Sequence, residues 1–388
     1  MKNSLIMMLV VIFSSVAQGH HGIANFNLNK DVEFTGTISD VDFINPHSWI
    51  YVDVLNADGS SDVWQCEMRS ATVLRRSGWS RDMFELGSKI SITGSPDRFK
   101  ENVCYMGSIT LADGSSMNRY GQYAEARDSQ KQALTELERA ARLPNGVPNI
   151  AGDWASEQRV MTDPEGISGA FLPLSVAQQL EPGEVPEGAF AFPGSRGTAA
   201  SLAAEPITTA WSFPSPVALT EAGKRALEGF DASSTDNPRL RCEATNIIFD
   251  WTFDTHVNHI EQSESEIIMV YGFMDLERVI HLDRQEFPES LELTRSGYSI
   301  GRWKNDVLIV TTQGFLAGVL TADANTMHSE QLRVVERFSL VNGELKREYS
   351  AEDALFFDGE YTGSDSLLLS SLPYESYECD DRSYRSDL

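Results

Sequence analysis

Two adjacent histidines stand where export processing would create a new amino terminus. Residues 1–19 read as a secretory signal: Lys2 gives a positive start, Leu5 to Phe13 an apolar run, and Ala17-Gln18-Gly19 a small-x-small cleavage site. Cleavage after Gly19 leaves His20-His21-Gly22 with a free α-amine. An amine beside two imidazoles offers nitrogen donors that suit copper and zinc. A third imidazole, His47, follows Asn45-Pro46. The proline holds Asn45 extended, so His47 falls at a firm loop-to-strand junction. The expectation is a metal site of His20, His21 and His47 holding copper or zinc. The competing reading is a solvated chain end, with Asn45 and His47 bonding the backbone of a tight turn.

The remaining chemistry-bearing residues argue less for a site. His256 and His259, three apart on a strand, face opposite ways and cannot share an ion. His281 and His328 read as hydrogen-bonded structural residues. With Arg278 and Glu336 they could line one barrel mouth. Gly297-Tyr298-Ser299-Ile300-Gly301 has the spacing of a hydrolase nucleophile elbow. That chemistry needs a strand, a sharp turn and a helix, whereas here Arg302 to Asp306 and a β-branched run predict a strand and hairpin, so the hydrolase reading is rejected. No phosphate loop, dinucleotide fingerprint or haem-attachment motif is present. Asp353, Asp358, Glu360, Asp380 and Asp381 read as solvated surface. Trp49, Trp64, Trp251 and Trp303 read as core packing, with pocket walls as the alternative.

Composition sets outer bounds. The 388 residues carry 57 acidic against 31 basic side chains, a net charge of -26. Such a surface repels phosphate backbones and argues against a nucleic-acid partner. No second long apolar run exists to span a membrane, so the mature chain is expected in the periplasm or outside the cell. Four cysteines in an exported chain suggest two disulfides. Three pairings are possible, and the simplest joins Cys66 to Cys104 and Cys242 to Cys379.

These residues need elements to hold them. Alternating runs predict strands over 32–43, 49–55 and 63–68, a helix over 70–78 with Ser70 as cap and Gly78 as stop, then strands over 89–94 and 105–111. That order fits a five-stranded barrel of the OB type over 20–117. A helical linker is expected in 118–148. A second, larger antiparallel barrel of the lipocalin-like up-and-down kind is expected in 149–388, opened by Gly152-Asp153-Trp154 and interrupted by a Pro/Gly/Ala-rich arm over about 160–240. Its expected strands are Ile247–Thr252, Val257–Gln262, Ile267–Gly272, Glu277–Leu282, Tyr298–Trp303, Val307–Thr312, Leu332–Leu340 and Glu344–Ser350. A short helix is expected within 218–229, capped by Thr220. The fold class is therefore mostly β.

Four stretches carry a family resemblance: His20-His21-Gly22, Phe34-x-Gly36-x-Ile38, Asn45-Pro46-His47-x-Trp49-Ile50 and Leu74-Arg75-Arg76-x-Gly78-Trp79. Together they resemble a family of exported proteobacterial proteins of unknown function, over roughly residues 20–115. The second half resembles a β-rich region often fused to that domain, through Asp236-Asn237-Pro238-x-x-Arg241-Cys242, Gly297-x-Ser299-x-Gly301-x-Trp303, His328-Ser329-Glu330 and Glu336-Arg337-Phe338. The chain departs from that pattern where Phe287-Pro288 replaces a His-Pro pair and where a proline soon after Cys242 is missing. The resemblance carries no activity. The favoured expectation is non-catalytic binding of a small molecule or a metal ion. The alternatives are a copper or zinc enzyme built on the N-terminal histidines, and an interaction module of the cell envelope.

Overall fold

The computed structural model describes residues 25–27, 29–119, 139–161, 171–177, 179–180, 217–231, 236–321 and 326–380. The signal segment, His20 and His21, residues 120–138 of the expected helical linker, most of the arm and Asp381 lie outside those residues, and the described part of that linker, 139–148, forms turns instead of helix.

The first barrel consists of β1 (Val32–Asp42), β2 (Trp49–Leu55), β3 (Ser61–Glu67), β4 (Lys89–Pro96) and β5 (Val103–Thr110), with helix α1 (Ala71–Arg76) between β3 and β4. Antiparallel pairings run β3-β2-β1-β4-β5, and a parallel β3–β5 pairing closes the ring, as the OB-like order requires. Ile38, Ile50, Val52, Leu74, Trp79, Ile92 and Met106 fill it. A Cβ on Gly36 would lie 2.5 Å from the Asp53 carbonyl oxygen, so β1 curls this tightly onto β2 only with glycine there. Cys66 and Cys104 are register partners across the closing seam and form a disulfide.

Helix α1 departs from expectation at its start. Ser70 occupies the N-cap position but makes no side-chain cap bond. The exposed amide is served from elsewhere: Asn45 Oδ1 accepts from the Thr72 amide at 3.2 Å and the Thr72 hydroxyl at 3.1 Å. Thr220, by contrast, caps its helix (Glu221–Ala226) as expected, accepting from the Gly223 amide at 3.1 Å.

The second barrel closes with nine strands. They are β6 (Gly152–Ala155), β7 (Val257–Gln262), β8 (Glu266–Val270), β9 (Glu277–His281), β10 (Tyr298–Lys304), β11 (Val307–Gln313), β12 (Arg333–Val341), β13 (Glu344–Glu352) and β14 (Tyr361–Leu369), in that order around the ring. Neighbours are antiparallel except β9 and β10, whose parallel pairing (Ile280 with Ser299) needs residues 282–297 to cross back along the barrel. Burial alternates cleanly: Leu308, Val310 and Thr312 point inward from β11.

Two expectations fail here. Ile247–Thr252 is not a strand. It enters the barrel end as a turn followed by a 3-10 helix (Asp250–Thr255), because Asn246 Oδ1 accepts from the Ile248 and Phe249 amides and Asp250 Oδ2 from the Thr245 amide. Its apolar residues are buried as a plug, not as a strand. Asp353 is not solvated surface either. It is 1% exposed and accepts from the Ser329 hydroxyl at 2.8 Å and the Ser329 amide. Asp358 and Glu360 are exposed as expected.

Candidate functional site

The interior of the nine-stranded barrel is filled. Arg278 from β9 donates to Ser299 at 2.9 Å, Thr312 at 2.8 Å and the Glu336 carboxylate. Arg347 from β13 reaches Asp365 at 2.5 Å, Glu336 at 3.4 Å, and the Ile247 and Ile248 carbonyls of the plug. Burial opposes the Arg347 charge, but the flanking Asp365 and Glu336 carboxylates more than offset it and hold its pKa above the ordinary value. Trp251 packs edge-on against Tyr271 and Phe338 at 5.0 and 5.9 Å. Two positive and two negative side chains thus balance inside a packed ring. Of the four residues expected to line a barrel mouth, Arg278 and Glu336 meet in this network. His281 instead stacks on Tyr298, and His328 lies buried against Phe315.

Ser299 belongs to the same network. It is fully buried on strand β10 and bonded to Arg278 and Thr312, so the Gly297-x-Ser299-x-Gly301 spacing serves packing. A Cβ on Gly301 would lie 2.6 Å from Ile280 Cγ2.

The two barrels meet along a polar seam. Arg76 of α1 donates to the Thr255 carbonyl, and to that of Ser156 at 3.1 Å. Gln158 Nε2 returns a bond to the Arg76 carbonyl at 2.6 Å. Arg69 pairs with Asp254, and the Thr72 hydroxyl shares a 2.9 Å hydrogen bond with His256 Nδ1. His256 is 4% exposed, and burial pushes its pKa down to about 4. The tail after β14 straps the seam. Tyr374 and the Tyr377 amide bond Asp275, Asn45 Nδ2 donates to the Tyr377 carbonyl, and Cys379 is disulfide-bonded to Cys242.

Beneath this strap lies a cavity of about 260 Å³. Arg76 and Trp79 wall it from the first barrel, Val257 and Gly272 from the second, and Leu372 and Pro373 from the tail. Arg75 and Glu375 pair at 2.6 Å at its edge. Burial pushes the Arg76 pKa down to about 10, with Arg69 acting in the same direction, so the group stays charged at neutral pH. The sequence reading missed this site. Its one signal is the Arg75-Arg76 pair beside Trp79, because adjacent cations next to an aromatic at a helix end are hard to explain as core.

His47 is held separately. Its Nδ1 lies 3.0 Å from Glu67 Oε1, and the Glu67 side chain is 8% exposed. Arg119 supports Glu67 from 3.6 Å and lies over the Tyr105 ring at 3.5 Å. Phe26 packs on Tyr105 at 5.2 Å, which brings the chain in beside this group. His259 faces Asp153 at 2.6 Å on β7, whereas His256 precedes that strand at the end of the 3-10 helix, so, against expectation, the two do not share a strand. Among the described residues no cluster of three or more His, Cys, Asp or Glu side chains is arranged to hold a metal ion.

Fold and site define a two-barrel protein: an OB-like ring locked by a polar seam to a filled nine-stranded ring. A family described as a family of unknown function, DUF6152, matches residues 8–104, which run through β1 to β4 and into β5. No curated protein and no solved structure matches the chain. Among the described residues no helix is long and apolar enough to cross a membrane.

Proposed function

We propose that this is an exported, non-catalytic binding protein that holds a small molecule between its two barrels. The observation that carries the reading is the seam cavity of about 260 Å³, walled from both barrels and the tail, beside a nine-stranded ring whose own interior is occupied by Trp251, Arg278 and Arg347. Sites at domain junctions are a common place for small ligands. Export to the periplasm is supported by the signal-like segment 1–19 and by two disulfides, which persist in oxidising compartments. The division into 20–117, 118–148 and 149–388, and the fusion of a His-His and Asn-Pro-His domain to a β-rich partner, belong to the same reading. Native mass spectrometry of protein purified from periplasm tests it. One small organic species bound to the wild type and lost in Leu372→Trp supports it. An unliganded wild type, or a species retained by the variant, counts against it.

A metal at His47 is a second reading, favoured by the Glu67 contact at Nδ1. His20 lies six residues before Phe26, a reach of about 20 Å at the extended spacing of ~3.4 Å per residue. A mature start at His20 would put an amine and two imidazoles within that radius of where the chain enters beside Tyr105. Copper or zinc is the ion such a nitrogen set would take.

A further inference from the structure

We infer that the molecule held in the seam is a small organic monoanion, a carboxylate on an apolar body, with Arg76 as its polar anchor. The inference rests on the binding reading above and names its ligand class.

The two walls differ in kind. Val257, Leu372 and Pro373 are apolar and suit a ring or short alkyl chain. The opposite side carries donors. Arg76 bonds only carbonyl oxygens, those of Thr255 and Ser156, and no carboxylate among the described residues forms an ion pair with it. Trp79 is 2% exposed and packs in the first barrel's core against Phe84, so its contribution to the wall is apolar. Of the charged side chains that line the cavity, Arg75 pairs with Glu375 and Arg76 is left; Arg69, Asp254 and Asp275 lie beyond the lining. A cationic ligand would be repelled by Arg76, and a neutral apolar one would leave it without a counter-charge at the wall. A carboxylate accepts from a guanidinium through charge-assisted hydrogen bonds.

Size and field narrow the class further. The cavity equals roughly nine water volumes at ~30 Å³ each, enough for one ring or a short acyl chain. The chain as a whole carries -26, so a multiply charged anion would be repelled on approach far more than a monoanion.

Isothermal titration of the full-length processed protein with benzoate and hexanoate, and with benzamide and hexanamide, tests this. The acids should bind at least about tenfold more tightly than their amides, the difference expected of a charge-assisted contact. Arg76→Gln should erase that preference. Because Arg76 also bonds across the seam, Arg76→Lys provides a second variant: it keeps the charge and should retain most of the preference for acids. Leu372→Trp should abolish binding of acid and amide alike. Amides that bind as tightly as acids would overturn the anion assignment while leaving the seam site standing. No binding of any of the four probes to the wild type would overturn both.

Discussion

Thr72 Oγ1 on the first barrel and His256 Nδ1 at the rim of the second lie 2.9 Å apart and share one hydrogen bond across the seam. The bond needs a neutral imidazole when the hydroxyl is the donor. Burial enforces that state by lowering the His256 pKa from 6.5 to about 4. Asp254, Arg69, Arg76 and Asp275 are the charges around the ring, and Phe253, Phe273 and Tyr377 pack on it.

The pH dependence follows from that depression. In the unfolded chain His256 takes a proton near 6.5, and in the folded protein only near 4. Its stabilising contribution is therefore complete above pH 6.5 and is lost as pH falls through 4, by about 3 kcal/mol at 1.36 kcal/mol per pKa unit. Asp250 runs the other way: burial raises its pKa to about 7, so its burial costs stability increasingly as pH rises from 3.8 through 7. The test is a difference. Urea unfolding of wild type and His256→Gln at pH 7.5 and 4.5 should show the gap between them shrinking at the lower pH. A constant gap would mean that His256 does not titrate differently on folding.

Glu336 is the hinge of the barrel network, because it faces both Arg278 and Arg347. Removing it leaves two buried guanidinium groups short of a carboxylate. Glu336→Ala should cost about 3–5 kcal/mol in urea unfolding, and Arg278→Met with Glu336→Leu should recover much of it, since a packed apolar pair avoids the desolvation of both charges. A single-variant cost under about 1 kcal/mol would show that the network contributes little.

Much of the fold was legible in the sequence. Alternation located the strands of the first ring and most of those of the second within a few residues but missed Tyr361–Leu369, and the cysteine count suggested two bridges. The plug was misread because Ile247 and Ile248 look like strand residues. Only the side-chain bonds of Asn246 and Asp250 show why that backbone turns. The charged network was partly legible: Glu336 alternates with Val334 and Phe338 on one face of β12, and Arg347 with Leu345 and Tyr349 on β13. A charge at an inward position is the visible sign, but its partner comes from another strand and cannot be read from one segment. The seam was illegible for the same reason, because its walls lie about 300 residues apart, from Arg76 to Leu372.

The Cys242–Cys379 bridge spans 137 residues and fixes the tail that carries Leu372 and Pro373. Replacing both cysteines with serine should lower stability by about 2–4 kcal/mol, as expected for a bridge closing a long loop. It should also speed amide exchange at Tyr377, whose amide bonds Asp275. Exchange at Tyr377 unchanged from wild type would show that Asn45 and Asp275 hold the tail unaided.

The metal reading has its own discriminant in Glu67. If His47 binds copper or zinc, Glu67→Gln should weaken the ion about 10–100-fold in a competition titration, the usual effect of losing a carboxylate behind a ligating imidazole. His47→Ala should weaken it at least as much. Equal affinity in wild type and His47→Ala removes His47 from any site.

The claim that the ligand lies between the barrels is tested most directly by co-crystallising the protein with 4-bromobenzoate and locating bromine by anomalous scattering. The account predicts one peak in the seam, between Trp79 and Leu372, with the carboxylate toward Arg76. A peak inside the nine-stranded ring or beside His47, or no peak in the seam, would contradict it.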